Sequence, residues 1–241
     1  MFGIELTPTN VAIAVLFSIS GIMWLIVYGV AIYRGFKDKC TGMPLWALGL
    51  NFGWEFAMSF IFDSHNMSLV VWVCRLWVLF DCVLLVQEFM YGREDLARLL
   101  QTDIKRWQHW LVAALAMVAG FLFTYIALPL WNNEITGMEA AAIMNVAMSY
   151  LFVTTLNDRK STKGQSMYVA LAKLIGTDIC GAIPFGILAT KDCFLGVPAD
   201  PFVHLLGWVC LFFDVTYVVL LARQYRKEGL NYWTRKPRKQ A

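Results

Sequence analysis

The chain has 241 residues, of which 59% are hydrophobic and only 15% charged, and its mean hydropathy is +0.58. A soluble domain carries about 25% charged residues, so the composition excludes an ordinary soluble enzyme and belongs to a membrane protein. The net charge of +3 is too small to argue for nucleic acid, and no such partner is expected.

Seven apolar stretches are long enough to span a bilayer: roughly 11–33, 43–62, 68–90, 109–131, 138–157, 166–189 and 202–222. Each meets the need for about 20 residues across a hydrocarbon core of about 30 Å. Together they consume most of the chain, so the prediction is a single all-α domain over 1–241, a seven-transmembrane-helix bundle. The first run lacks a basic flank and is too long for the apolar core of a signal peptide, so no cleaved leader is expected. Between the third and fourth runs, Leu96, Leu99, Leu100 and Ile104 alternate with Glu94, Asp95, Arg98, Asp103, Lys105 and Arg106. That spacing predicts an amphipathic helix lying on the membrane surface. Pro184 predicts a kink in the sixth helix and a carbonyl freed for other bonds. The segment 190–201, with Gly196, Pro198 and Pro201, reads as an irregular cap. No internal repeat is evident.

Orientation follows from Lys and Arg. Arg34, Lys37 and Lys39 fall on one side of the predicted bundle, with Arg93, Arg98, Lys105, Arg106, Arg159, Lys160, Lys163 and seven more after residue 222. The opposite loops hold only Lys191, while Arg75 and Lys173 lie inside apolar runs. The positive-inside rule puts this basic side, with the C-terminus, in the cytoplasm and the N-terminus outside. The basic segment 234–241 is a topology signal that also suits anionic lipid headgroups. Cys40, Cys74, Cys82, Cys180, Cys193 and Cys210 show no CxxC spacing, which predicts neither a disulfide framework nor a zinc site. Asn66-Met67-Ser68 has the form of a glycosylation site but hugs the membrane.

Two acids stand where hydrocarbon disfavours them. Glu55 lies within the second run and Asp214 midway along the last. At 1.5 Å rise per residue they fall about 3 Å to the outer and inner sides of the midplane. The antiparallel second and seventh helices could therefore bring them to nearly one depth. Ionisable groups at that depth cost several kcal/mol and mark functional sites. Asn51 is one turn from Glu55 with Trp54 beside it, and Tyr217 shares the face of Asp214. Asp81, Asp178 and Asn145 reach similar depths. Asn51, Asn145 and Asp81 have a simpler reading as cross-links between helices. Arg75 and Lys173 are expected to pair with Asp81 and Asp178, which leaves Glu55 and Asp214 without a cation. An unpaired acid in an apolar site escapes the desolvation cost by keeping its proton, and such a group is a general acid. Among the many aromatics are Trp46, Trp72, Trp77, Phe80, Trp208, Phe212 and Phe213. Most are expected in packing or the interfacial belt, while those turned inward could stabilise a passing cation.

Gly42-Met43-Pro44 followed by Asn51-x-x-Trp54-Glu55 resembles the second helix of the fungal integral-membrane terpene cyclases of meroterpenoid and paxilline-type indole-diterpene pathways. Gly164-x-Ser166 and Asp214-x-x-Tyr217 are similar to that family as well, and the likeness runs the full length of the chain. The resemblance implies cyclisation of a linear polyprenyl chain that carries a head group and often a terminal epoxide. It also implies that Glu55 and Asp214 are the two essential acids, with Asn51, Trp54, Tyr217 and Asp178 as candidate substrate-binding residues. There is no DDxxD run for a magnesium-bound diphosphate and no DxDD string. The expected reaction is therefore acid-initiated, with no metal and no cofactor. The implied partners are a small polyprenyl substrate and the lipid bilayer. The implied location is a multi-pass membrane protein of the endoplasmic reticulum if fungal, or of the plasma membrane if bacterial. The alternative is a proton-coupled transporter or channel, for which midplane acids are equally suited. A microbial-type retinal protein is disfavoured, since 202–222 contains no lysine.

Overall fold

In hydrocarbon the backbone must satisfy its own hydrogen bonds, and the apolar runs do so as helices. A computed structural model of the chain describes residues 7–62, 68–130, 137–188 and 199–237. The order is α1 (Pro8–Asp38), α2 (Leu45–Phe60), α3 (Ser68–Tyr91), α4 (Arg93–Leu100), α5 (Arg106–Leu130), α6 (Met138–Arg159) and α7 (Met167–Lys173). A π-helical stretch (Leu174–Ala182), α8 (Ile183–Leu188) and α9 (Pro201–Lys227) follow. Thr7 and Asp200 cap α1 and α9, each with proline in the first turn, and Ser166 caps α7. Asn66, Cys193 and most of the expected cap 190–201 lie outside the described residues.

Among the described residues, five helical spans are long and apolar enough to cross a membrane: Pro8–Asp38, Arg106–Ala127, Met138–Arg159, Met167–Leu188 and Pro201–Lys227. The predicted second run contracts to the 16 residues of α2, about 24 Å of helix, because Pro44 stands at its start and Ile61 ends it. α3 carries Arg75, Asp81 and Glu88 among its apolar residues. Both helices nevertheless belong to the bundle, and ten of the sixteen α2 residues are buried. The amphipathic segment is α4, which buries Leu96 and leaves Leu99 and Leu100 exposed.

α2 packs on α5 through backbone rather than side chains. A Cβ at Gly53 would lie 2.1 Å from the Gly120 carbonyl carbon, and one at Gly120 would lie 1.9 Å from the Gly49 oxygen. Gly49 and Gly53 on one helix, with Ala116 and Gly120 on the other, form the small-residue seam that lets membrane helices approach closely. This contact places α2, and with it Glu55, at its height in the bundle.

The ends of α1, α4, α6 and α9 are tied together by polar contacts. Arg159 clamps Asp95 with bonds of 2.5 and 3.0 Å and donates to the Thr41 carbonyl at 3.1 Å. Asp38 accepts from Arg235 and from the Gly164 amide, at 2.9 Å, where Gly164 has a positive φ of 68°. Burial opposes a charge on Glu228, yet Gln224 and Thr162 donate to its carboxylate and hold it below the usual carboxylate range. Cys40 sits among these groups, and burial pushes its thiol up to about 11.

Gly53→Val is expected to force α2 and α5 apart and to destabilise the fold by about 1–3 kcal/mol. Thermal unfolding in detergent measures it, and a variant of unchanged stability would mean that the seam does not hold α2.

Candidate active site

A cavity of about 110 Å³ opens between α1, α2, α3, α6, the π-helical stretch and α9. Its walls are largely apolar, with Trp24, Trp54, Trp77, Met138 and Met144. Its polar groups include Asn51, Glu55, Asn145, Thr177 and Cys210. A smaller apolar hollow of about 20 Å³ adjoins it and shares Phe17, Met138 and Gly181.

Glu55 stands on the cavity wall within a buried polar cluster. Tyr28 donates to its Oε1. Asn51 Nδ2 lies 2.9 Å from the same oxygen, 3.0 Å from Asp81 Oδ2 and 2.5 Å from the Tyr28 hydroxyl. Glu55 Oε2 and Asp81 Oδ1 are buried without a hydrogen-bond partner. The Tyr28 ring is wedged between Trp24 and Phe80, at 6.1 and 5.4 Å between centroids, so the hydroxyl is held rigidly. Trp54 donates its indole N–H to the Gly137 carbonyl at 3.0 Å and presents its ring to the cavity.

Asp214 belongs to a second cluster, set behind the cavity wall next to Cys210. Lys173 Nζ contacts both its oxygens, at 2.8 and 3.0 Å, and the Ser149 hydroxyl at 2.5 Å. Lys173 and Asp214 are each 1% exposed. Asp178 lies beside them on the π-helical stretch with both carboxyl oxygens buried and unpartnered. A ligating atom from each of Asp178, Cys210 and Asp214 falls within 4.8 Å of the others, the spacing of a metal site.

Set against known families, residues 5–227 match the model of the Pyr4-like transmembrane terpene cyclases. The chain belongs to that family. Terpene cyclase pyr4 of Aspergillus fumigatus is 28% identical over 223 residues, which cover 86% of this chain and 85% of that protein. Terpene cyclase cdmG of Talaromyces verruculosus is 26% identical over 166 residues, 66% of this chain and 65% of that one. Terpene cyclase andB of Emericella variicolor is 27% identical over 174 residues, with shares of 71% and 70%. No solved structure matches. The protein is thus a membrane-embedded terpene cyclase.

Several expected partnerships in the cyclase are replaced by others. Lys173 pairs with Asp214 on α9, not with Asp178, so Asp214 does have a cation. The pairing arises because the lysine reaches across to the facing helix, a contact invisible along one run. Arg75 does not pair with Asp81: six residues on a helix turn through about 240°, which puts them on different faces. Its guanidinium lies 4.8 Å from the Trp72 ring centre and its Nε donates to the Ser59 carbonyl at 3.4 Å. Tyr217 donates to Gln165 Oε1 and packs on Phe152, so its hydroxyl is engaged away from Asp214. Asn145 lines the cavity and donates to Ala141 of its own helix at 2.9 Å rather than to a neighbour. α2 and α9 both line the cavity but are not a packed pair: α2 packs on α3, α5 and α6, and α9 packs on α6, α7, α8 and the π-helical stretch. Tyr28, Ser149 and Trp24 were not singled out from the sequence. A tyrosine inside the first apolar run is the one signal that could have raised Tyr28.

Two substitutions separate wall from packing. Tyr217→Phe strands the Gln165 oxygen and is expected to cost about 1–3 kcal/mol of stability without changing the product ratio. Trp54→Phe is expected to alter the product ratio, because Trp54 faces the cavity. Product chromatography beside thermal unfolding reads both, and a product change confined to Tyr217→Phe would reverse the assignment.

Proposed function

We propose that the cyclase starts its reaction by proton transfer from Glu55 to an epoxide oxygen or terminal alkene at the end of a prenylated substrate that reaches into the cavity. The observation that carries this reading is Glu55 Oε2, a buried carboxyl oxygen with no hydrogen-bond partner, on a residue of the cavity wall. The balance of donors supports it. An asparagine amide has two N–H groups, and Asn51 faces three acceptors. Neither Glu55 nor Asp81 forms an ion pair with a Lys, Arg or His among the described residues. Two adjacent carboxyls with neither a cation nor enough donors are satisfied by holding a proton. The Tyr28 hydroxyl, fixed on Oε1, leaves Oε2 as the oxygen without a protein partner.

The transferred proton opens the epoxide to a hydroxyl and leaves a carbocation, or turns the alkene into one. The next alkenes attack in turn, each closing a ring and moving the cation along the chain. Loss of a proton, or addition of water, ends the cascade, and the first outcome gives an isomer of the substrate. The rings of Trp24, Trp54 and Trp77 offer π faces to the cation, each worth about 2 kcal/mol or more when desolvated. The substrate class that fits is a prenylated or epoxy-prenylated meroterpenoid or indole terpenoid. No step needs a metal: in the cluster with metal-like spacing found among the described residues, the Lys173 ammonium already engages both Asp214 oxygens.

In the same reading α2 and α3 complete a seven-helix bundle around the cavity, with the N-terminus outside and the C-terminus in the cytoplasm. The gathering of Thr41, Asp95, Thr162 and Glu228 at one end supports that topology, since loops on one side of a membrane can touch.

Glu55→Gln is expected to fold and to lose about 10²–10⁴-fold in turnover, the worth of general-acid catalysis. Turnover by membranes supplied with prenylated and epoxy-prenylated phenols and indoles measures it, and retention of a tenth of the activity would remove Glu55 as the acid. Activity is expected to survive EDTA. Loss on chelation, restored by magnesium, would defeat the metal-free route.

A further inference from the structure

The two buried acid clusters differ in their charged partners. Lys173 Nζ meets both oxygens of Asp214 and the hydroxyl of Ser149, with the Cys210 sulfur farther off at 3.9 Å. Nζ stands almost equally far from the two carboxyl oxygens, at 2.8 and 3.0 Å, as an ammonium facing a carboxylate does; an acid bonded to a neutral amine would approach it through one oxygen. The geometry therefore describes an ion pair, whereas the carboxyls around Asn51 have no cation among the described residues.

We propose that Lys173 is a positioning residue that keeps Asp214 an anion, which removes Asp214 from the role of proton donor and leaves initiation to Glu55. The inference rests on the acid-initiated reading above and assigns its two acids different tasks. Asp214 does not border the cavity itself; Cys210, one turn before it on α9, does. Lys173 neutralises the pair, so what a passing carbocation meets through the wall is its oriented dipole, in a low-dielectric interior that screens it little. Asp178 lies close by with both carboxyl oxygens unpartnered.

Infrared difference spectra of the full chain in lipid nanodiscs test the charge state without reference to activity. Lys173→Met is expected to lose one carboxylate stretch and gain one protonated-carboxyl C=O band, while Lys173→Arg changes neither. Should Lys173→Met not fold, the double variant Lys173→Met/Asp214→Asn removes both charges together, a change that buried pairs tolerate. It is expected to lose a carboxylate stretch and leave the C=O region intact. Loss of C=O intensity instead, or unchanged bands in folded Lys173→Met, would overturn the proposal. Turnover gives the second arm. Asp214→Asn, Lys173→Met and the double variant are expected to fall to one common level and to shift the ratio of partly to fully cyclised products. Independent, multiplying losses would overturn the unit. Glu55→Gln serves as the control: if it stays active, acid initiation fails while the infrared result on Lys173 stands.

Discussion

Inside an apolar bundle no water is at hand to finish an incomplete set of hydrogen bonds, so each buried polar group must be completed by another part of the protein. That constraint organises this cyclase. Asn51 serves Tyr28, Glu55 and Asp81 from three different helices, and Lys173 serves Ser149 and Asp214 from two more. Each cluster thereby joins helices, and each is also a chemical asset. Removing one partner of the Lys173 pair leaves an uncompensated charge, at about 3–5 kcal/mol. For that pair, removing both charges together is the gentler change.

The apolar packing has the complementary task of fixing heights. α2 is too short to set its own depth by matching the hydrocarbon thickness. Its glycines lock it against α5 at backbone distance instead, and Glu55 is carried to the cavity wall by that contact. At the other end of the bundle Arg159, Asp95 and Thr41 hold the α1–α2 connection in register with α4 and α6. A displacement of α2 by even one helical turn would move Glu55 about 5.4 Å along the axis and away from Tyr28.

Much of this was legible in the sequence. Apolar runs of about 20 residues identify the helices because hydrocarbon allows little else, and Glu55 stands out because an acid in such a run is costly. The amphipathic spacing around Leu96 gives a helix there, but α4 ends at Leu100, where Gln101 turns to a positive φ, short of Ile104. Relations across helices could not be read in this way. Lys173 lies five residues from Asp178 and 41 from Asp214, and only the fold makes the distant one its partner. Tyr217 shares a face with Asp214 by helical period, yet the end of its long side chain reaches Gln165 in the α6–α7 connection. Pro184 announced a disturbance of the sixth helix, but not its form. The proline cannot donate to a preceding carbonyl, and the turns before it widen into a π-helix that ends with the Ile183 amide bonded to the Asp178 carbonyl.

That widened stretch divides a single span into two segments of different rotational phase. Each extra residue accommodated in a helical turn rotates the remainder of the helix by about 100° relative to an uninterrupted α-helix. Met167–Lys173 is therefore phased so that its lysine meets α9, while Ile183–Leu188 is phased independently so that Gly186 nestles against His204. A deletion of one residue between Leu174 and Ala182 would let the turns before Pro184 relax towards an α-helix, with only the bond that the proline cannot donate left unmade. It would also put the two segments out of step, so that one of them must turn away from α9. Among relatives, a one-residue gap at this place would mark a change of cavity shape more surely than any point substitution along its walls.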